Sequence, residues 1–185
     1  MKSADPLPPA PADAAEFTPT KQRFAIEAAT GYLMLGMTKA ALRELAPFRD
    51  TRLPPVLRLR GEALREQERH TEALREYDDL LHLRPGDLSA VIGKAWCLKR
   101  LDRLSDAIDT LRSGAAAHPS EALIPYNLAC YFALQRDKAR CLAHLGRALR
   151  MDASYVELIE AEPDFEGVRG DADFQELVEA VARVA

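Results

Sequence analysis

Apolar residues recur at helical spacing along most of this chain. Between Phe24 and Leu35 they follow the three-to-four-residue period that places side chains on one face of an α-helix. Similar segments succeed one another toward the C-terminus, and turn-forming residues such as Gly36, Pro85 and Pro119 separate them. No alternating polar and apolar run is long enough to predict a strand. The pattern therefore predicts an all-α chain of short helices.

Between residues 54 and 121 the helices come in pairs of constant length. Two small residues, a large apolar residue and a proline recur 34 positions apart: Gly61, Ala73, Tyr77 and Pro85 in the first segment, and Ala95, Ala107, Leu111 and Pro119 in the second. Small residues let the two helices of a pair approach closely, and the proline ends the second helix. Because one pair cannot cover its own apolar face, the pairs are expected to stack.

This period and these positions resemble the tetratricopeptide repeat family. The phrases YNLACYFAL, GRALRMD and EAEPDFEGVRGDADFQEL resemble the closing unit of bacterial tetratricopeptide arrays. The resemblance implies a right-handed α-solenoid of antiparallel helix pairs, closed by a C-terminal capping helix. It also implies a single domain over residues 18–185: a degenerate repeat at 22–53, repeats at 54–87, 88–121 and 122–155, and a partial repeat with the capping helix at 156–185.

Several local signals refine this outline. Thr18, Thr71 and Asp87 are expected to cap helices, and Phe165 and Val168 to anchor an irregular link near the C-terminus. Residues 1–17 are rich in proline and alanine, which predicts a disordered tail. A polyproline ligand for another domain is the alternative for this tail.

Charge and composition narrow the function. The chain carries 25 basic and 29 acidic residues in 185, and this near balance argues against a nucleic-acid binder. It has no 18-residue apolar stretch to insert into a membrane and no apolar run typical of a signal peptide. The three cysteines are expected to be reduced thiols. These features together favour a cytoplasmic protein.

The sequence offers no catalytic constellation. Nucleotide-binding, zinc-protease and serine-hydrolase motifs are absent, and the four histidines are scattered among the repeats. The acidic run from Glu160 to Asp164 is better explained by a helix end at Pro163 than by a metal site. We therefore expect no enzyme activity, no cofactor and no metal.

The remaining candidate is a surface. The resemblance implies that the first helix of each pair lines the concave side of the solenoid, where we expect these residues to contact a partner: Arg58, Glu62, Arg65, Ile92, Trp96, Lys99, Arg100, Tyr126 and Cys130. Trp96 and Tyr126 are the expected anchors for a peptide or helix. Arg58, Arg65, Lys99 and Arg100 are expected to attract its acidic residues. The alternative is that Trp96 belongs to the core or lies under the chain's own C-terminal helix.

The favoured function is a non-catalytic scaffold or adaptor that binds a protein segment in this groove. A dedicated cytoplasmic chaperone of a secreted substrate is the alternative, and an enzyme or small-ligand sensor is a third. Family members that hold the C-terminal carboxylate of chaperones use Lys, Asn and Arg at inner positions, which here carry Ile26, Thr30, Leu59, Ser89 and Gly93. The set of residues that binds such a carboxylate is therefore missing. Self-association through the apolar first repeat is a further expectation.

Overall fold

The computed structural model describes residues 18–183, and every regular element within that range is helical. The helices are α1 (Pro19–Met34), α2 (Thr38–Leu45), α3 (Pro54–Glu66), α4 (His70–Leu83), α5 (Leu88–Arg100), α6 (Leu104–Ala115), α7 (Leu123–Leu134), α8 (Lys138–Met151), α9 (Val156–Ile159) and α10 (Ala172–Ala182). Short 3₁₀ turns lie at Ala46–Phe48, Ala153–Tyr155 and Pro163–Phe165. The tail expected at residues 1–17 lies outside the described range. None of the described helices is long and apolar enough to cross a bilayer.

Each helix packs on its neighbour in the chain, from α1 on α2 to α7 on α8. The helix α3 also contacts α1 and α5, so the first helices of successive pairs form one layer and the second helices another. The residues that face between the layers are almost entirely apolar, with Leu45, Leu80 and Leu111 completely buried. The predicted all-α class is confirmed.

The turn inside each of the first four pairs has the same backbone geometry. One residue per turn adopts a left-handed conformation, with φ between 58° and 68°: Gly36, Glu68, Asp102 and Arg136. The next amide then donates to the carbonyl five residues back, as Arg69 does to Leu64 at 2.9 Å and Arg103 to Leu98 at 2.9 Å. This is the Schellman ending of a helix. The last three left-handed residues are 34 positions apart, so the period of the sequence is also a period of the backbone.

Tyr77 shows why small residues recur at the crossing of the helices. Its ring is 1% exposed on α4 and lies against Gly61 of α3 and Gly93 of α5. A Cβ atom added to Gly93 would lie 2.3 Å from the Cζ atom of Tyr77, and one added to Gly61 would lie 2.7 Å from its Cε1 atom. The two glycines thus make room for one aromatic ring that joins three helices.

The helix caps agree with the sequence in two of three places. Thr18 accepts the amide of Lys21 at 3.3 Å, and Asp87 accepts the amide of Ala90 at 3.2 Å. The expectation that Thr71 is a cap is wrong, because α4 already begins at His70. The Schellman turn before α4 sets its start without a side-chain cap.

The segment between α8 and α10, residues 152–171, is mostly irregular, and we call it the strap. Phe165 is fully buried and Val168 is 7% exposed, as the sequence predicted for anchors. The ring of Phe165 meets Tyr126 of α7 at 5.8 Å and Phe174 of α10 at 5.4 Å between centroids. The strap therefore packs across α7 and ties it to the last helix.

Candidate protein-binding face

The nine residues predicted to contact a partner lie on the first helices of three pairs. Three are on α3 (Arg58, Glu62 and Arg65), four on α5 (Ile92, Trp96, Lys99 and Arg100) and two on α7 (Tyr126 and Cys130). Residues four apart share a face of a helix, so α3 and α5 present adjacent rows of these side chains. We call the surface formed by α3 and α5 around Trp96 the Trp96 face.

Trp96 is half-buried, and cationic side chains stand over its ring. The guanidinium carbon of Arg65 lies 5.2 Å from the ring centroid, and that of Arg100 lies 5.7 Å away. At such distances a guanidinium is attracted to the negative face of the indole. The ring of His70, at the start of α4, meets the indole edge-on at 5.2 Å. Helices α3, α4 and α5 thus all contribute to the surroundings of Trp96.

The four basic residues predicted to attract acidic groups fall into two classes. Arg58 pairs with Glu62 at 2.9 Å, and Lys99 pairs with Asp164 of the strap at 2.5 Å. Arg65 and Arg100 have no carboxylate partner in the described part of the chain. The two cations that flank Trp96 are therefore the ones that remain available to a partner's carboxylates.

His70 does not add to this positive charge at neutral pH. Burial lowers the pKa of its imidazole, and the positive charge of Arg100 and Arg65 lowers it further, while Glu68 opposes the shift. The sequence pattern did not place His70 on this face. Its position at the start of α4 lies outside the repeat positions that point inward, so no spacing signal could have identified it.

Tyr126 and Cys130 are not part of an open surface, and the structure corrects that expectation. Tyr126 is 5% exposed and Cys130 is 2% exposed. The strap covers them: the ring of Tyr155 lies 4.9 Å from that of Tyr126, and the ring of Phe165 meets Tyr126 edge-on at 5.8 Å. The alternative expectation is that the C-terminal helix lies over Trp96; in the structure it is the strap that covers this side of the chain, and it lies on α7. The predicted extension of the face to α7 is wrong.

The thiol of Cys130 and the carboxylates of Glu162 and Asp164 lie within 4.8 Å of one another. Each carboxylate already has a partner: Lys99 binds Asp164, and Glu162 accepts the Asp164 amide at 3.2 Å. Burial and the two carboxylates raise the pKa of the Cys130 thiol, so it stays protonated. We interpret this cluster as the anchor that holds the strap on α5 and α7.

All three cysteines, Cys97, Cys130 and Cys141, are free and buried. Burial raises the pKa of the thiols of Cys97 and Cys141 to about 11. A nucleophilic cysteine needs the opposite shift. These residues pack between helices and add no reactive group to the Trp96 face.

Comparison with known proteins agrees with this architecture. A family model described as "Tetratricopeptide repeat" matches residues 64–124. The solved structure of MamA residues 41 to the end, from Desulfovibrio magneticus RS-1, superposes with a TM-score of 0.71 at 23% identity, over 89% of this chain and 93% of that one. A tetratricopeptide repeat protein from Parabacteroides merdae gives a TM-score of 0.70 at 15% identity, over 89% of this chain and 67% of that one. These likenesses confirm the predicted solenoid fold.

A second MamA crystal structure superposes with a TM-score of 0.68 at 12% identity, over 90% of this chain and 88% of that one. No curated protein sequence matches the chain. At these identities the likeness extends to the fold alone, and the side chains around Trp96 have to be interpreted from their own geometry.

Proposed function

We propose that the chain is a non-catalytic scaffold or adaptor that binds a segment of a partner protein on its concave side, because a tetratricopeptide repeat model matches residues 64–124 and the helical-repeat fold extends over the described residues. The fold generally serves as an interaction module. The observation that carries the proposal is the pair of guanidinium groups, from Arg65 and Arg100, that stand over Trp96 without a carboxylate partner in the described residues.

The chemistry of this face selects the kind of partner. Tryptophan and arginine are the residues that most often dominate binding energy at interfaces. Arginine presents a planar fork of donors that fits a carboxylate with two parallel hydrogen bonds. A partner with an apolar side chain against the indole and acidic residues beside it would satisfy all three groups. The proposed ligand is therefore a short acidic and apolar segment.

The strap limits the length of this segment. Tyr126 and Cys130 are covered, so the open surface extends over α3 and α5 and ends where Lys99 meets Asp164. A partner helix or peptide would cross two repeats instead of the three expected from the sequence. The cytoplasmic location expected from the sequence remains a prediction.

A binding assay with charge-reversed variants tests the proposal. The full chain serves as bait in an extract of its own host, beside the variant Arg65→Glu with Arg100→Glu. A matched control reverses Arg147, an exposed arginine of α8 in the opposite layer. We expect specific partners to be lost from the double variant and retained by the control. Partners that bind both variants equally would refute the proposal, and exported partners would favour the chaperone function instead.

Fluorescence provides a direct test of the face, because Trp96 is the only tryptophan. The ratio of iodide to caesium quenching should be higher than for free N-acetyltryptophanamide, since the guanidinium groups of Arg65 and Arg100 attract the anion. Replacing Arg65 and Arg100 by glutamine should reduce the difference between the two quenchers. An acidic peptide from a captured partner should protect the indole from iodide. An iodide-to-caesium ratio in the unaltered chain no higher than that of the free compound would contradict the assigned electrostatics.

A further inference from the structure

The outer face of α1 packs against no other helix among the described residues, although the guanidinium of Arg23, on the same helix, stands over the ring of Phe24 at 5.5 Å from its centroid. Phe24, Ala28, Gly31 and Leu35 fall on one side of the helix, at the spacing i, i+4, i+7 and i+11, and all four are exposed. Of the seven exposed large hydrophobic residues in the described range, four belong to α1 and the turn that follows it: Phe24 at 58%, Met34 at 84%, Leu35 at 73% and Met37 at 48%. Exposed apolar area is thus concentrated at the N-terminal end of the stack.

The opposite end of the stack is built differently. The last helix, α10, exposes Gln175, Glu176 and Glu179, which is the polar outer surface expected of a terminal repeat. The apolar strip of α1 is not a surface of this kind. Gly31 is a second indication that this face contacts another molecule, since glycine inside a helix is unfavourable by about 1 kcal/mol relative to alanine. A Cβ atom added there would meet nothing within 4 Å, so packing inside the chain does not require this glycine.

The apolar side chains border a groove of about 650 Å³ between α1 and the end of α2. Its apolar lining consists of Phe24, Ala28, Pro47 and Phe48, and its charged lining consists of Lys21 and Glu44. Neither Lys21 nor Glu44 forms an ion pair within residues 18–183. Among the described residues, the groove therefore carries one cation and one anion that form no ion pair, beside an apolar strip.

We propose that this face pairs with the same face of a second copy of the chain. A surface that carries both a cation and an anion can pair with itself, because a two-fold axis sets Lys21 of each copy against Glu44 of the other. The apolar strip of one copy then covers that of its partner. The resulting dimer is closed, and it leaves the Trp96 face of both copies open. The dimer is independent of the proposed partner binding, since the two faces lie on different helices.

Sedimentation equilibrium of the full chain tests the pairing. We expect a reversible dimer, and Phe24→Asp should make it monomeric. Lys21→Glu or Glu44→Lys alone should weaken dimerisation about tenfold, because each places two like-charged pairs in the interface. Arg147→Glu is the control and should leave the dimer unchanged. Circular dichroism of each variant verifies that it folds.

The decisive measurement mixes the two single charge variants. The Lys21→Glu chain carries two acidic side chains at these positions and the Glu44→Lys chain carries two basic ones. Both cross pairs between the two chains become attractive, so a heterodimer should form at the wild-type affinity. A mixture that stays monomeric would overturn the two-fold pairing.

Two results of sedimentation with the unaltered chain would also overturn the proposal. A full chain that remains monomeric to its solubility limit would overturn it and indicate that residues 1–17 or another protein cover the face. Larger open assemblies would also overturn it, because a two-fold pair closes on itself. Loss of partner capture by the Trp96 face would leave the dimer unaffected, so the two proposals fail separately.

Discussion

The contact of Tyr77 with two glycines yields a quantitative prediction. In Gly93→Ala the new Cβ atom would lie 2.3 Å from the Cζ atom of Tyr77 and 2.6 Å from its hydroxyl oxygen. Such a distance is shorter than any van der Waals contact, so the ring or α5 must move. Tyr77 has no free space to move into, because it is 1% exposed and packs between α3 and α5.

Two opposing terms set the magnitude. Overpacking a core by one methyl group destabilises a protein by about 1–3 kcal/mol. Replacing glycine by alanine inside a helix stabilises it by about 1 kcal/mol. Because the added Cβ atom would approach the ring to 2.3 Å, the overpacking loss should lie in the upper part of its range, at about 2–3 kcal/mol. We therefore expect Gly93→Ala to lower the free energy of unfolding by about 1–2 kcal/mol, which corresponds to about 2–8 °C in melting temperature for a chain of this size. Gly61→Ala should lower the free energy of unfolding by a smaller amount, because its Cβ atom would lie 2.7 Å from the ring.

Urea unfolding monitored by circular dichroism measures both variants against Gly146→Ala. At Gly146 the first neighbour of an added Cβ atom is the end of the flexible Arg150 side chain at 3.3 Å, followed by Leu177 at 3.6 Å. This control should be neutral or stabilised by up to about 1 kcal/mol. Adding Tyr77→Leu to Gly93→Ala should cost less than the sum of the two single changes. A Gly93→Ala chain as stable as the control would refute the packing argument.

Three further predictions concern the strap and His144. Lys99→Ala should lower the free energy of unfolding by about 2 kcal/mol, because it leaves the 11%-exposed side chain of Asp164 unpaired. The control Arg103→Ala breaks an exposed ion pair and should lower the free energy of unfolding by less than about 1 kcal/mol. Equal losses in the two variants would contradict the role of Lys99 as the partner of a buried carboxylate. Phe165→Ala should lose about 3–5 kcal/mol in the same assay and increase proteolysis within the strap; a smaller loss would mean that the strap is not an anchored element. Burial and nearby arginines lower the pKa of His144 below 6.5, so the unfolded chain binds more protons and stability should fall as pH drops below about 6.5. His144→Gln should reduce that decline between about pH 7.5 and pH 5.5, and an unchanged slope would argue against the shift.

The repeating part of the fold could be predicted from the sequence because its causes are local. Helix pairs follow from apolar spacing, and the 34-residue period follows from small residues at helix crossings such as Gly61 and Ala95. The caps at Thr18 and Asp87 depend on residues three positions away. The helix spacing and the caps lie within one repeat and the period needs only two successive repeats, so a single sequence is enough to show them.

The candidate face was predicted only in part because its boundary depends on distant residues. The burial of Tyr126 results from Phe165, and the position of the strap depends on Lys99 binding Asp164, 65 residues further along the chain. The strap does not follow the 34-residue repeat. The repeat positions that identified Trp96 as a surface residue therefore could not predict where the strap lies. The same limit applies to His70, which reaches Trp96 through the packing of α4 on α5.

The left-handed turn residues Glu68, Asp102 and Arg136 have a consequence for the architecture of the gene. Since the chain passes from first to second helix in the same geometry every 34 residues, a helix pair is an interchangeable module. A tandem duplication of residues 88–121 should therefore insert α5 and α6 once more, keeping the existing junctions before Leu88 and after Glu121 and adding one new junction between the two copies. The lengthened array would display two copies of Trp96 on successive pairs. The number of helix pairs that carry this tryptophan can thus change in evolution separately from the two ends of the stack.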